Sequence, residues 1–240
     1  MEHQLKRRNR TTTKKMKKKT KTPLVAKLPE DVIVEIVVQL VSSSPLPFAD
    51  LCSLKKSCKT FAMVSKDRMI KKYIALEMEI STLNWTANNR CMPILSSCAD
   101  AENVEACFIL ALANIFDNED IYKGVELLKK ASSNGHKGAL YMMNILRIRL
   151  QKHNISVDMN SHNKVDQSTF NDYDQLKCCR EKVLDVRRLM TWNKWLASDA
   201  GNMRRCKNSN CGISGWDDYK CFCSDGCRWN HEYFELRRRM

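Results

Sequence analysis

Between residues 28 and 41 (LPEDVIVEIVVQLV) the apolar positions fall into two neighbouring stripes. Val32, Ile36 and Leu40 stand four apart, as do Ile33, Val37 and Val41, and the polar Glu35 and Gln39 keep the same interval. A strand would alternate with a period of two, so this spacing predicts a helix despite the β-branched content. Pro29 suits the first turn, where its missing N–H costs nothing. Glu30 and Asp31 place negative charge at the positive end of the helix dipole. Ser42–Pro47 is expected to stop the helix. Two shorter helical stretches come next, one with Phe48, Leu51, Leu54 and Cys58 on one side, the other with Phe61, Ala62 and Val64. Three short helices within about forty residues bury too little apolar surface to be very stable alone, so the unit is expected to dock onto something.

The segment RMIKKYIALEMEI continues as helix and gives way to an expected irregular region containing Trp85 and Pro93; Cys91 and Cys98 read as small core residues. Residues 99–150 hold an internal repeat. ADAENVEACFIL and SSNGHKGALYMM align at an offset of 33 residues, pairing Ala106 with Ala139, Phe108 with Tyr141 and Leu110 with Met143, with a second helix (YKGVELLKKASS) between them. Helix, helix and the first helix again at that period is the pattern of a helical solenoid. His136 falls at a turn between helices, a capping or packing position, and Met142–Met143 read as core. About one and a half repeats are visible and fewer than three rarely fold alone, so they are expected to pack on the N-terminal helices or on residues 67–98. Residues 151–175 are polar and aperiodic and read as a linker. A helix resumes from about 176 to 199 with Val183, Val186, Leu189 and Met190 on one face, and Trp192 and Trp195 are expected to bury against the C-terminal module.

Charge changes the picture only at the N-terminus. The chain of 240 residues carries a formal net charge of +14, of which residues 6–21 hold ten Lys or Arg and no acid, leaving about +4 for the other 224. The two clusters (Lys6, Arg7, Arg8 and Arg10; Lys14, Lys15, Lys17, Lys18, Lys19 and Lys21) resemble a bipartite nuclear import signal. The tail cannot bury apolar surface and is expected to be disordered, with nonspecific nucleic-acid contact as its other use. No apolar run approaches the ~20 residues a membrane span needs, and no hydrophobic stretch succeeds the basic residues as in a secretory signal, so no membrane role is expected. The seven glycines form neither GxGxxG nor GxxxxGK[ST], and GxSxG, HExxH and HxE…PCxxC patterns are absent. The chain therefore reads as a non-enzyme.

Twelve cysteines without an export signal point to reduced thiols and metal ligation. The C-terminal run CKNSNCGISGWDDYKCFCSDGCRWNHEYF sets Cys206 and Cys211 as one pair and Cys223 and Cys227 as another. Four thiolates from two pairs make a closed tetrahedral site, and zinc supplies the folding energy that a knuckle of about 30 residues cannot find in a core. Cys221 and His231 stand by as further possible ligands.

Three parts of the chain carry family resemblances. LPEDVIVEIVVQL…FADLCSLKKSCKTFAMVSKD resembles an F-box: Leu28, Pro29, Glu30, Asp31, Ile36, Leu40, Leu51, Leu54, Cys58, Lys59 and Phe61 match in order, with a longer loop at SSSPLPFAD. KGVELLKKASSNGHKGALYMM is similar to the Sel-type tetratricopeptide-like repeat, matching at Gly124, Leu127, Leu128, Ala131, Gly135, His136, Ala139 and Tyr141. FCSDGCRWNHEYF and CKNSNCG resemble parts of a truncated MYND-type zinc finger. The module order is that of plant-type F-box proteins with Sel-like repeats and such a finger. The resemblance implies a mostly α architecture: an F-box unit over 24–66, a helical region over 67–150 with repeats at 99–150, and a helix plus degenerate finger over 176–240. It also implies docking on a Skp-type adaptor of a cullin ubiquitin ligase through Leu28, Pro29, Ile33, Ile36, Leu40, Leu51 and Leu54. Repeats and finger would then hold a target protein, with one structural zinc on Cys206, Cys211, Cys223 and Cys227. The basic tail adds an expectation of nuclear location, shared with the cytoplasm. The alternative is a nuclear, zinc-containing nucleic-acid or chromatin-associated protein without a ligase role.

Overall fold

The computed structural model describes residues 28–79, 91–116, 120–152, 173–190, 206, 211 and 222–239, and every regular element among them is a helix. α1 (Glu30–Ser43), α2 (Pro47–Ser57), α3 (Lys59–Val64) and α4 (Arg68–Tyr73) form the first unit. Of the two stripes on α1, Ile33, Val37 and Val41 face inward, joined by Val38, and the helix packs on α2, α3 and α4. The expected stop at Ser42–Pro47 needs correction at both ends. Ser42 and Ser43 stay helical because their hydroxyls donate back to the Gln39 carbonyl (3.2 and 2.7 Å), a bond open to short hydroxyl side chains in a last turn. Pro47 already opens α2, where a proline is tolerated. Only residues 44–46 connect the two helices, and Ser44 braces them by donating to Asp50 (2.6 Å) and accepting from the Leu46 N–H (2.9 Å). α5 (Leu76–Glu79) returns to this unit: the buried Glu79 accepts from the Phe48 N–H at the start of α2 (3.0 Å).

The rest is a stack of longer helices: α6 (Cys91–Asp100), α7 (Val104–Phe116), α8 (Ile121–Ser133), α9 (Lys137–Lys152), α10 (Tyr173–Met190) and α11 (Asp225–Arg239). Pro93, expected in an irregular region, lies in the first turn of α6, where no intrahelical N–H bond is lost. Every residue of α7 from Ala106 to Phe116 is buried, so it is the central rod, flanked by α6 and α8. The helices on either side of the 151–175 segment reach into it, α9 to Lys152 and α10 from Tyr173; 153–172 lie outside the described residues. Val183 and Val186 are buried as expected, whereas Trp85, Trp192 and Trp195 lie outside the described residues.

The repeat is legible atom by atom at the turns. α8 ends with the Gly135 N–H on the Ser132 carbonyl (2.9 Å) and the His136 N–H on the Ala131 carbonyl (3.1 Å), Gly135 being left-handed at φ 84. This pair of bonds is the Schellman closure of a helix. Thirty-three residues earlier, α6 ends the same way: Glu102 N–H to Ala99 (2.9 Å), Asn103 N–H to Cys98 (2.9 Å), and Glu102 left-handed at φ 66. The next residue then caps the following helix in both copies. Asn103 Oδ1 accepts from the Ala106 N–H (3.0 Å), and His136 Nδ1 accepts from the Ala139 N–H (2.9 Å). The paired Ala106 and Ala139, Phe108 and Tyr141, and Leu110 and Met143 are all buried, as are Met142 and Cys98.

One apolar core runs from Ile33 on α1 to Leu236 on α11. The short repeat is therefore sealed at both ends, by the N-terminal helices on one side and by α10 and α11 on the other. The C-terminal helix is part of the stack, packed on α9, where the sequence pointed to a small module of its own.

Candidate docking face and metal centre

Two arrangements in this frame bear chemistry. The first is the outer stripe of α1 together with Leu28, which precedes the helix. Leu28, Val32 and Ile36 are 40%, 41% and 49% exposed, against 2%, 1% and 0% for Ile33, Val37 and Val41 on the inner stripe. Pro29 is exposed beside them, Leu40 is half-buried, and Leu54 is partly buried against the core. Ile33 and Leu51, expected on a docking face, are instead buried and hold the unit together. Val32 takes Ile33's place on the outer stripe; two adjacent apolar stripes look alike in sequence until it is known which one the other helices cover.

The second is the cysteine cluster. The sulfurs of Cys206, Cys211, Cys223 and Cys227 all lie within 4.8 Å of one another. Cys223 Sγ is 3.4 Å from Cys206, 3.6 Å from Cys211 and 3.4 Å from Cys227, far beyond a bonded disulfide, and none of the four is in a disulfide. Four sulfurs about 2.3 Å from a tetrahedral zinc stand about 3.8 Å apart. The cluster is close to that size before any ion is placed in it. Hydrogen bonds from Cys206, Cys227 and Cys211 push the Cys223 thiol up to about 12, because the sulfurs share protons where a divalent cation would hold thiolates. The donor set therefore fits a structural zinc. Cys221 lies outside the described residues; His231 sits on α11 with its ring 5.2 Å from Phe222, outside the group of four, and burial lowers its basicity. The basic residues Lys6–Lys21 also lie outside the described residues.

Sequence reasoning missed the buried polar ties around these features. Arg180 on α10 donates from Nε and Nη2 to the Glu232 carboxylate on α11 (3.1 and 2.5 Å), which also accepts from the Tyr141 hydroxyl on α9 (3.1 Å). Burial pushes the Glu232 carboxyl up, and Arg180 and Tyr141 only partly offset it. A second tie centres on Glu105. Its Oε2 receives His136 Nε2 (2.9 Å) and Lys182 Nζ (2.9 Å), and Lys182 also reaches Glu77 (2.9 Å). Burial raises the Glu105 carboxyl, but His136 and Lys182 together leave it below its ordinary value. Because His136 Nδ1 accepts at the cap of α9, its proton sits on Nε2, facing Glu105. His136 is thus a capping and packing residue, with Phe108 stacked 4.3 Å away. A single Arg or Glu inside an amphipathic helix gives no sequence signal that it will be buried, because the partner comes from a distant helix.

No helix among the described residues is long and apolar enough to cross a membrane. The family model for plant tetratricopeptide repeats matches residues 78–188. Among curated proteins, the chain is similar to an F-box protein of Arabidopsis thaliana, 24% identical over 129 residues that cover 53% of this chain and 33% of the relative. A second Arabidopsis thaliana protein that bears the F-box name is 30% identical over 135 residues, covering 56% of this chain and 44% of that one. The matched stretch thus spans from a third to under half of the relatives' length. No solved structure matches. The chain is a mostly helical protein with a helical-repeat region similar to plant tetratricopeptide repeats and with similarity to F-box proteins.

Proposed function

We propose that this protein is a non-catalytic substrate-recognition adaptor of a Skp–cullin–F-box ubiquitin ligase. The observation that carries the reading is the outer stripe of α1: Val32 and Ile36, with Leu28 just ahead of the helix, stay exposed beside an adjacent stripe that is core. A helix that shows solvent a row of large aliphatic side chains one turn apart is shaped to lie in a partner's apolar groove. The similarity to F-box proteins supports a Skp-type adaptor as that partner. The repeat stack and the cysteine centre would then present a target protein, whose identity the fold does not name. The four cysteines are read as a degenerate MYND-type site with one structural zinc, whose closed set of four sulfurs leaves no position for a reacting water. The basic N-terminal segment is read as a nuclear import signal.

The test is co-expression with a Skp-type adaptor. A stoichiometric complex is expected, with about one zinc per chain by elemental mass spectrometry. Ile36→Asp should abolish the complex while leaving helicity and melting temperature unchanged, because the side chain is on the outer stripe. If the folded, zinc-loaded chain forms no complex, or if Ile36→Asp binds like the wild type, the adaptor reading is lost. Salt-dependent DNA binding that survives deletion of residues 1–23 would then put a nucleic-acid role in its place.

A further inference from the structure

Two features meet on α11. Its first turn carries Cys227 and comes directly after Cys223, so half of the sulfur cluster is built at its N-terminal end. Five residues on, Glu232 enters the core and ties α11 to Arg180 on α10 and Tyr141 on α9, with Tyr233 and Leu236 buried beside it. Cys206 and Cys211 belong to the chain between α10 and α11. An ion shared by the four sulfurs therefore cross-links the chain from 206 to 227 and shortens the loop between α10 and α11, the same two helices that the Arg180–Glu232 pair joins. A buried ion pair gains little net free energy, because desolvation of both charges offsets their attraction. The remaining drive to dock α11 comes from its apolar face and from whatever restricts that loop, and a metal centre restricts it directly.

We propose that metal occupancy of the cysteine cluster and docking of α11 on α9 and α10 are one coupled equilibrium: the ion keeps this end of the helical stack closed, and its loss opens it. The inference rests on reading the cluster as a metal centre. Coupling is reciprocal, so disturbing the buried tie must weaken metal binding at sulfurs it does not touch.

The experiment uses the full chain, zinc and a chromophoric chelator, with hydrogen exchange read by mass spectrometry. Stripping zinc is expected to speed exchange across α11 and in the part of α9 around Tyr141, while α1–α4 stay protected. Glu232→Gln, which leaves all four sulfurs in place, should lower zinc affinity about tenfold, within the range typical of coupled sites. Tyr141→Phe removes one hydrogen bond and no bulk; it should lower affinity less, in the same direction, and covers the case in which Glu232→Gln fails to fold. Wild-type zinc affinity in the folded variants, with α11 equally protected with and without the ion, overturns the coupling but leaves the metal centre standing. A folded wild-type chain that takes up no zinc overturns both.

Discussion

Asn103 does two jobs with one side chain. Its Oδ1 caps α7, and its Nδ2 donates to the Lys71, Lys72 and Ile74 carbonyls at the end of α4 (3.1, 2.9 and 2.9 Å), so it fastens the N-terminal unit to the repeat stack. Losing a cap costs about 1 kcal/mol. Leaving buried carbonyls without a donor costs about 1–3 kcal/mol more. Asn103→Ala is therefore expected to destabilise the chain by about 2–4 kcal/mol in urea denaturation. Asn103→Asp separates the two roles: it keeps the acceptor for α7 but turns a negative charge on the α4 carbonyls, and should still be destabilising. A variant as stable as the wild type would show that the two units are held together elsewhere. The 33-residue repeat sets Asn103 opposite His136 but does not reveal the shared role, because an amide and an imidazole look unrelated until both are seen accepting from the N–H three residues on. Glu102 is hidden for the same reason. It takes the left-handed place that Gly135 fills in the other copy, and ion pairs with Arg68 (3.0 Å) and Lys72 (3.2 Å) accompany a backbone that glycine would adopt without strain.

At the scale of elements, α7 and α8 pack against each other most extensively. Gly124 is buried in the first turns of α8, and a Cβ there would stand 2.5 Å from Ile115 Cγ1 and 3.1 Å from the Ala111 carbonyl oxygen. The buried isoleucine is stiff at its β-carbon and the carbonyl belongs to the central rod, so neither gives way freely. Overpacking costs about 1–3 kcal/mol. The helix preference of alanine over glycine returns only about 0.5–1 kcal/mol. Gly124→Ala should be a net loss of about 1–2 kcal/mol in chemical denaturation, the reverse of what helix propensity alone predicts. A stabilised variant would mean that α7 and α8 separate easily. Periodicity makes these helices legible, and the repeat spacing marks Gly124 as part of its pattern. The edges of elements are harder to read. Serines that bond back to their own helix extend α1, and prolines that look like stops are the openings of α2 and α6.

At the scale of the whole molecule, the stack from α6 to α11 carries, among the described residues, a buried thiol toward each end, Cys98 on α6 and Cys179 on α10. Burial pushes each of them up to about 11 from an ordinary 9.0, and the nearby lysines offset this only in part. An acid whose folded pKa is raised weakens the fold where the unfolded chain has already released the proton and the native one still holds it. Below about pH 9 both states keep the proton and nothing changes. From about 9 to about 11 the unfolded state gains free energy with each step in pH, so stability falls, and above about 11 this contribution levels off. Zinc-loaded protein is expected to lose melting temperature across that window, and a Cys98→Ala, Cys179→Ala double variant should start lower, from the lost packing, yet fall less steeply. Equal slopes would mean that the two thiols reach water in the native state and that the ends of the stack are open. Sequence reasoning marks Cys98 as core but cannot rank the remaining cysteines. Cys178 and its neighbour Cys179 are indistinguishable by composition, and only the packing of α10 leaves the first exposed and buries the second. The same geometry sets apart two groups of cysteines with different chemistry: the buried Cys98 and Cys179, held protonated by their burial, and four sulfurs gathered within 4.8 Å at the start of α11, where a shared cation would hold thiolates. Alkali should therefore act on the stack through the first set while metal removal acts through the second, and the two treatments should open the molecule at different helices.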